Sequence, residues 1–195
     1  MARKHSPSII FIDEIDSVCS SRVSNESEGS MRMKSQILIE MNGAADDTSF
    51  QTIVIGATNN PQIIDEAMRR RLEKRVYIPL PTKEDRTLLF RKSFEAYVLS
   101  DDVDFDLLAE KSENYSCADI SVIVRDTIFV MINSICRGKS SPEEIRLVSE
   151  DAKAHPERYP ITMSMIMDSI ARTSTSVSTV AIEECENFAK NFGSS

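Results

Sequence analysis

Strand-forming patterns are confined to the first part of this 195-residue chain, and this uneven distribution is the strongest constraint on its fold. Apolar runs rich in β-branched residues occupy residues 9–12 and 52–57, and a shorter one follows at 75–78. These runs predict three strands, the first two of them buried, whereas beyond residue 81 the apolar residues recur only at helical spacing. The sequence therefore predicts an α/β part at residues 1–81 and an all-helical part at residues 82–195.

The helical part is predicted to contain five helices. Thr82 is a suitable N-cap for the first, whose apolar positions are Leu88, Leu89, Phe94 and Tyr97. The other four are expected at residues 104–112, 118–137, 162–172 and 179–192. The last helix carries an apolar stripe made of Ile182, Cys185, Phe188, Ala189 and Phe192. We expect this stripe to pack onto the helical part itself.

Composition excludes several classes of protein. A net charge of -8 argues against nucleic acid as the main partner, because phosphate binding needs clustered Lys and Arg. The four cysteines form no CxxC pair, and neither histidine has a partner at metal-ligand spacing, so free thiols in a reducing compartment are expected. The opening MARKHSPSIIFID matches neither a secretory signal nor a membrane span. We therefore expect a soluble, intracellular protein.

The first apolar run leads directly into two adjacent carboxylates, Asp13 and Glu14. An apolar strand ending in two acids fits the second acidic signature of nucleotide-hydrolysing enzymes. There the first acid serves Mg²⁺ and the second activates the attacking water. The alternative is a solvated turn, which is the commoner fate of two acids at a strand end.

Two further features lie downstream. A polar turn at residues 58–61 follows the second strand and would lie beside Asp13 and Glu14 in a parallel sheet. Three consecutive arginines then occupy residues 69–71. They fit either a solvated basic turn or an arginine finger that reaches the phosphate of a neighbouring subunit.

Three stretches in this order, SPSIIFIDEIDS, GATNNPQIIDEAMRRRLEKRVYIPLP and YSCADI, resemble the AAA ATPases of the meiotic clade. The resemblance covers nearly the whole chain. It implies a P-loop large subdomain at residues 1–81 and an all-helical lid at residues 82–195. It also implies a homo-hexamer that hydrolyses ATP with Mg²⁺ between subunits and pulls a polypeptide through a central pore.

The same resemblance assigns roles to individual residues. Asp13 matches the acid that coordinates Mg²⁺, Glu14 the general base, and Asn59 the residue that orients the attacking water beside the nucleotide. Arg70 and Arg71 match paired fingers that act on the ATP of the adjacent subunit.

Three more segments match functional parts of the family. Residues 22–32 match the second pore loop, although Met31 stands where severing enzymes carry an arginine. Residues 116–120 match the lid turn that meets the nucleotide, with Cys117 and Ala118 as the contacting residues. Because Cys117 replaces the usual glycine, its side chain is expected to crowd the base or ribose. For the last helix, the resemblance implies an alternative position, in which the helix reaches the α/β part and supports hexamer assembly.

Within the clade, residues 141–146 and the C-terminal stretch resemble the katanin catalytic subunit. Residues 25–28 instead resemble the branch that disassembles ESCRT filaments, but residues 138–161 are too few for that branch's long insertion. A katanin-type protein would have microtubules and acidic tubulin tails as partners, together with a katanin regulatory subunit. It would be located in the cytoplasm and on spindle microtubules.

The phosphate loop of the family, GxxxxGK[ST], does not occur in these residues. Gly138-Lys139-Ser140 is no substitute, because it follows a predicted helix instead of a strand. In the family this loop lies upstream of the segment that matches residue 1, so the chain alone is expected to be inactive. Three hypotheses remain open: part of a microtubule-severing ATPase, part of a related motor such as the ESCRT-disassembling one, and a non-catalytic module that modulates hexamers.

Overall fold

The computed structural model describes residues 2–5, 7–19, 28–46 and 52–193. Contacts divide the chain into two units. The first unit combines Met1–Ile78 with Val180–Ser195, and the second is Pro79–Thr179. The boundary between the predicted α/β and helical parts thus falls next to Pro79, close to residue 81, but the last helix belongs to the first unit.

The first unit is built around two parallel strands, β1 (Ser8–Ile12) and β2 (Thr52–Gly56). Its described helices are α1 (Asp16–Cys19), α2 (Glu28–Asp46), α3 (Glu66–Arg71) and α9 (Thr179–Phe192). Short 3₁₀ turns occur at Ala2–His5 and Pro61–Ile63. The parallel pairing runs in register from Ser8 opposite Thr52 to Ile12 opposite Gly56. As expected for a crossover between parallel strands, a helix, α2, lies between them in the sequence.

The core of this unit lies under the carboxyl ends of the strands. Among the described residues, it contains four buried side chains, those of Ile15, Cys19, Ile64 and Met68. Gly56 lets the Ile15 side chain lie close to the backbone of β2, because a Cβ at position 56 would lie 2.7 Å from Cδ1 of Ile15. The end of β2 can therefore pack directly against the residue that follows the acidic pair.

The strands themselves are less buried than their composition predicts. Ile9 is 67% exposed, Phe11 63% and Ile53 59%. These side chains share one face, since Ile9 lies opposite Ile53 and Phe11 opposite Ile55. The prediction of two strands is confirmed, but the prediction that both are fully buried is wrong, because burial depends on what covers a face and not on its composition.

The predicted third strand at residues 75–78 is absent: this segment has no regular secondary structure. Val76 and Ile78 are highly exposed there. A strand needs a hydrogen-bonded neighbour, and the pairing in the described part of the sheet joins only β1 to β2. Apolar composition alone could not supply that neighbour.

The second unit, which is described throughout, contains five α-helices and no strand. They are α4 (Lys83–Phe94), α5 (Phe105–Lys111), α6 (Cys117–Cys136), α7 (Pro142–Ala154) and α8 (Met163–Arg172). Their core contains nine buried hydrophobic residues: Phe90, Phe94, Leu108, Ile120, Ile123, Val124, Ile161, Ile166 and Ile170. A single parallel bridge between Leu99 and Ile161 joins the segment before α5 to the start of α8.

Two details of the helical prediction are wrong. Helix α4 begins after Thr82 as predicted, with a capping box between Thr82 and Asp85, but Leu88 is 66% exposed and Phe90 is buried in its place. Helix α7 is additional to the predicted helices, although Ser141 and Glu144 carry the sequence signature of a capping box. None of its residues is buried.

A buried arginine fixes α4 relative to α5. Arg86 donates from Nε and Nη2 to the Ala109 carbonyl, at 3.1 and 2.9 Å, and from Nη1 to the Pro81 carbonyl at 2.7 Å. The forked guanidinium suits two carbonyl acceptors that a lysine could not serve together. Sequence analysis did not identify this residue, because an arginine among charged neighbours gives no sign of burial.

Helix α9 packs within the first unit. Gln62 donates to Glu184 at 2.9 Å, and the guanidinium of Arg69 lies 5.5 Å from the ring centroid of Phe192. The expected packing of this helix onto the helical part is therefore wrong, and the contacts agree with the alternative position on the α/β part. Its apolar stripe is suitable for either surface, and the polar partners that select the first unit are more than a hundred residues away in sequence.

No helix among the described residues is long and apolar enough to cross a membrane.

Candidate functional site

The ends of β1 and β2 place the predicted acidic pair and the turn that carries Asn59 at one edge of the sheet. Asp13 and Glu14 follow β1, and Asn59 follows β2 by three residues. Backbone hydrogen bonds continue past the strands, since Ala57 donates to the Ile12 carbonyl and Ile15 donates to the Ala57 carbonyl, each at 2.9 Å. The acidic pair and the polar turn are therefore adjacent, as the sequence predicts.

Glu14 has an unusual backbone conformation. Its φ is +48°, in the left-handed region that residues other than glycine rarely adopt. The backbone N–H of Glu14 donates to Oδ1 of Asp13 at 2.9 Å, and both side chains are exposed. Such a conformation costs on the order of 1 kcal/mol or more and is found most often at functional sites. This turn therefore fixes the backbone that carries the two carboxylates at the sheet edge.

A third acid, Asp16, ties the two strand ends together. Its Oδ1 accepts a hydrogen bond from the Thr58 hydroxyl at 2.7 Å, and its Oδ2 accepts one from the Asn60 side-chain amide at 3.4 Å. The Thr58 oxygen in turn accepts the Asn60 backbone N–H at 2.9 Å. These bonds fix the turn that carries Asn59. Asp16 was not predicted from the sequence, and its position two residues after Glu14, at the start of α1, was the available signal.

Arg70 and Arg71 lie apart from this edge, on α3. Arg70 pairs with Glu66 one turn earlier and its side chain is 76% exposed. Nη1 of Arg71 donates to the Ala67 carbonyl at 2.7 Å. Both guanidinium groups therefore lie along their own helix. The structure does not bring them to Asp13 or Glu14 of the same chain.

The end of α3 is attached to α9. Arg75 donates from Nη1 to the Phe192 carbonyl at 2.9 Å and from Nη2 to the Arg69 carbonyl. Burial and the charge of Glu186 raise the pKa of Tyr77, two residues after Arg75, and Cys185 contributes in the same direction. The Cys185 thiol also lies 3.8 Å from the Asn59 carbonyl. Helix α9 thus contacts both the polar turn and the arginine segment, which sequence analysis did not predict from residue spacing.

In the second unit, Ser116 caps α6 and places Cys117 and Ala118 in its first turn. Ser116 and Asp119 form a capping box, and Asp119 also accepts the Ser176 backbone N–H at 3.2 Å. Burial alone would raise the pKa of Asp119, but hydrogen bonds from Ser116 and Ser176 outweigh it and hold the pKa below its ordinary value. Cys117 and Ala118 are both exposed. Their exposure leaves them available for a ligand.

The residues present fit a magnesium ion that is held mainly by nucleotide phosphates. No group of three or more His, Cys, Asp or Glu side chains suitable for a metal occurs in the part of the chain that the structure describes. Mg²⁺ in nucleotide sites needs only one or two protein carboxylates, because water and phosphate oxygens complete its shell. The exposed carboxylate of Asp13 can supply one such ligand.

The proposed second pore loop is described only in part. Residues 22–27 lie outside the described residues, and residues 28–32 form the first turns of α2. Its assignment therefore still rests on the sequence.

Comparison with known families agrees with this fold and arrangement. Residues 1–80 match the model of the ATPase family associated with various cellular activities (AAA), and residues 102–144 match the AAA+ lid domain. The chain belongs to the AAA ATPase family, with residues of the α/β subdomain followed by a helical lid. Within this family, it is similar to the katanin catalytic subunits of the meiotic clade.

Individual relatives support this placement. The chain is 42% identical over 200 residues to the A-like 1 form of the katanin p60 ATPase-containing protein of Danio rerio, and 43% identical to that of Mus musculus. The match covers all of this chain but 40% of each relative.

Solved structures show the same fold. The crystal structure of the FIGL-1 AAA domain superposes with a TM-score of 0.79 at 28% identity, covering 98% of this chain and 59% of that one. A structure that concerns katanin self-assembly gives 0.76 at 30% identity, covering 97% and 60%. The FIGL-1 domain has also been solved in complex with ADP, with a TM-score of 0.82.

Proposed function

We propose that this chain supplies the water-activating half of an ATP-hydrolysing site. The observation that carries the proposal is the sheet edge where Asp13, Glu14 and the Asn59 turn meet, tied together by Asp16. Carboxylates and an amide at the carboxyl ends of parallel strands are suited to a phosphate and its attacking water. The left-handed backbone of Glu14 is further support, because strained residues of this kind cluster at functional sites.

In the proposed reaction, Glu14 accepts a proton from the water that attacks the γ-phosphate of ATP, which yields ADP and inorganic phosphate. Asn59 orients that water, and Asp13 supplies a carboxylate toward Mg²⁺. When bound, Mg²⁺ neutralises charge on the β- and γ-phosphates. Cys117 and Ala118 of the second unit are proposed to contact the nucleotide.

Arg70 and Arg71 are proposed to act on the ATP of an adjacent subunit in a homo-hexamer. Arg70 is exposed on α3 and Arg71 is half-buried, and neither contacts Glu14 of the same chain, which supports a role in trans. An arginine supplied across an interface stabilises the charge of the transition state. The similarity to a structure that concerns katanin self-assembly supports assembly of this chain as well.

By similarity to katanin, we propose that the assembled protein pulls on acidic tubulin tails and severs microtubules in the cytoplasm and spindle. A katanin regulatory subunit is proposed to be a further partner. The support is the identity of about two fifths of the residues to the A-like 1 relatives. Because the chain spans 40% of their length, this activity is proposed for the protein as a whole.

The test uses a form of the protein that carries a phosphate loop, called the phosphate-loop form below. Glu14→Gln keeps the size and hydrogen bonding of the side chain but removes the base. We expect turnover to fall about 10²-fold or more while ATP affinity is kept. ATP binding is measured by calorimetry and hydrolysis by phosphate release.

Glu113→Gln makes the same change at an exposed position of the second unit and should leave both quantities unchanged. If Glu14→Gln hydrolyses ATP within a few-fold of the wild-type rate, the base lies elsewhere and the proposal fails.

A further inference from the structure

A buried ion pair joins α2 to the start of α3. The Nζ of Lys34 lies 2.6 Å from Oδ2 of Asp65, and the two side chains are 11% and 20% exposed. Lysine is almost never buried without a partner. Lys34 also shares a helix face with Ile37, Leu38 and Met41, which pack against the apolar core of the first unit. The pair thus lies at the edge of that core.

Asp65 is held at three points at once. Its Oδ1 accepts the Met68 backbone N–H at 2.8 Å and caps α3, while its own N–H donates to the Cys19 carbonyl at 3.0 Å. Burial by itself would raise the pKa of Asp65, but the hydrogen bond from Lys34 and that from Met68 lower it below the ordinary value. The carboxylate is therefore charged and fixed in place.

Helix α3 needs such anchors because it has only six residues. A helix of this length is not stable by itself, so contacts outside the helix set its direction. Met68 is completely buried in the core, and Asp65 fixes the first turn. Arg70 and Arg71 follow within one and a half turns, so a rotation at the first turn moves both guanidinium groups.

We propose that Lys34 is a positioning residue for Arg70 and Arg71: through Asp65 it fixes the first turn of α3 and thereby the direction in which the two arginines project. The inference rests on the proposed action of these arginines on a neighbouring subunit. It adds a residue on α2, more than thirty positions earlier in the chain, to the parts that this action needs.

A purely structural ion pair would behave differently. Replacing a buried pair by apolar or neutral groups of similar volume is often neutral for stability, whereas removing one partner leaves a buried charge. The informative variant is therefore the double substitution Lys34→Met with Asp65→Ser. Serine retains the N-cap of α3 and carries no charge, so the double variant leaves no unpaired charge at this position.

The experiment measures turnover in a neighbouring subunit. Variant subunits of the phosphate-loop form that also carry Glu14→Gln are mixed with wild-type subunits, so that hydrolysis comes only from wild-type sites. We expect Arg70→Ala with Arg71→Ala, and separately the Lys34→Met/Asp65→Ser pair, to lower the turnover of wild-type neighbours about 10-fold to 100-fold. Lys34→Arg with Asp65 intact keeps the charge of the pair, so subunits that carry it should leave most of the neighbour's turnover in place.

Non-additivity separates positioning from general destabilisation. Adding Lys34→Met/Asp65→Ser to subunits that already lack both arginines should cause no further loss, because the positioned groups are gone. Lys83→Met, which removes an exposed ion pair with Glu110, is the matched control and should have no effect. Urea unfolding of each variant verifies that the first unit remains folded.

Two results overturn the positioning role while leaving the proposed action in trans intact. One is full turnover next to Lys34→Met/Asp65→Ser subunits that are folded, and the other is an additive loss in subunits without the arginines. If removal of both arginines leaves the neighbour's turnover unchanged, the proposed action in trans fails, and the positioning role fails with it. The arginine variants therefore identify which of the two proposals is wrong.

Discussion

At the scale of the residue, single carboxylates organise each unit through the groups that donate to them. Asp16 joins two strand ends, Asp65 joins two helices, and Asp119 joins the start of α6 to the segment after α8. Each acid lies at the N-terminal end of a helix, where Asp65 and Asp119 accept backbone N–H groups and Asp16 accepts two side-chain donors. The local sequence identifies an acid at the start of a helix, but only the folded chain identifies the distant group that donates to it.

The acid sensitivity of the second unit should depend on Asp119. Because its folded pKa lies below the unfolded value of about 3.9, the ionised carboxylate stabilises the fold above that value and loses its effect as the pH falls through the folded pKa. Asp119→Asn should therefore cost about 2 kcal/mol at pH 7 and much less near pH 3. Urea unfolding at both pH values measures this.

Asp101→Asn, at an exposed position of the same unit, serves as the comparison and should differ little from wild type at either pH. An equal loss for Asp119→Asn at pH 7 and pH 3 would assign the effect to shape instead of charge.

At the scale of the element, α7 is the helix with the least tertiary support in the second unit, since none of its residues is buried. Its start is defined by Ser141, whose hydroxyl accepts the Glu144 N–H at 3.1 Å, and by Glu144, which accepts the N–H groups of Ser140 and Ser141. Such a helix relies on its cap more than a buried one does.

Ser141→Ala should therefore loosen α7 selectively. We expect a loss of about 1 kcal/mol in the local stability of this helix, seen as faster amide hydrogen exchange at residues 145–154. Ser134→Ala makes the same change near the end of α6, where alanine suits the helix, and should leave exchange nearly unchanged. Unchanged exchange in α7 after Ser141→Ala would show that packing holds this helix.

At the scale of the whole molecule, the chain combines two separately packed units, and the sequence of the first lacks a phosphate-binding loop. Backbone N–H groups and the lysine of such a loop supply most of the affinity for the β- and γ-phosphates. We expect the 195-residue chain by itself to bind ATP more weakly than the phosphate-loop form by several orders of magnitude. Calorimetry with ATP and Mg²⁺ compares the two.

The same titration on Glu14→Gln of the phosphate-loop form serves as the positive control, because it should keep ATP bound. Micromolar affinity of the 195-residue chain alone would mean that its own residues suffice for binding, and the phosphate loop would then not be the main determinant.

The sequence by itself determined the elements whose signals are local. Apolar runs predicted β1 and β2, the cap residue Thr82 predicted where α4 begins, and parallel strand ends predicted that the acidic pair and the turn carrying Asn59 would be adjacent. These predictions succeed because backbone geometry, hydrogen-bonding caps and side-chain periodicity act within a few residues.

Tertiary structure alone decided the properties that depend on partners distant in sequence. It left residues 75–78 without regular secondary structure, exposed Ile9 and Phe11, and placed α9 in the first unit. It also buried Lys34 against Asp65, thirty-one positions later in the chain. Burial, strand pairing and ion pairing are properties of what surrounds a residue in the folded chain, and that environment is contributed by segments that no local pattern can specify.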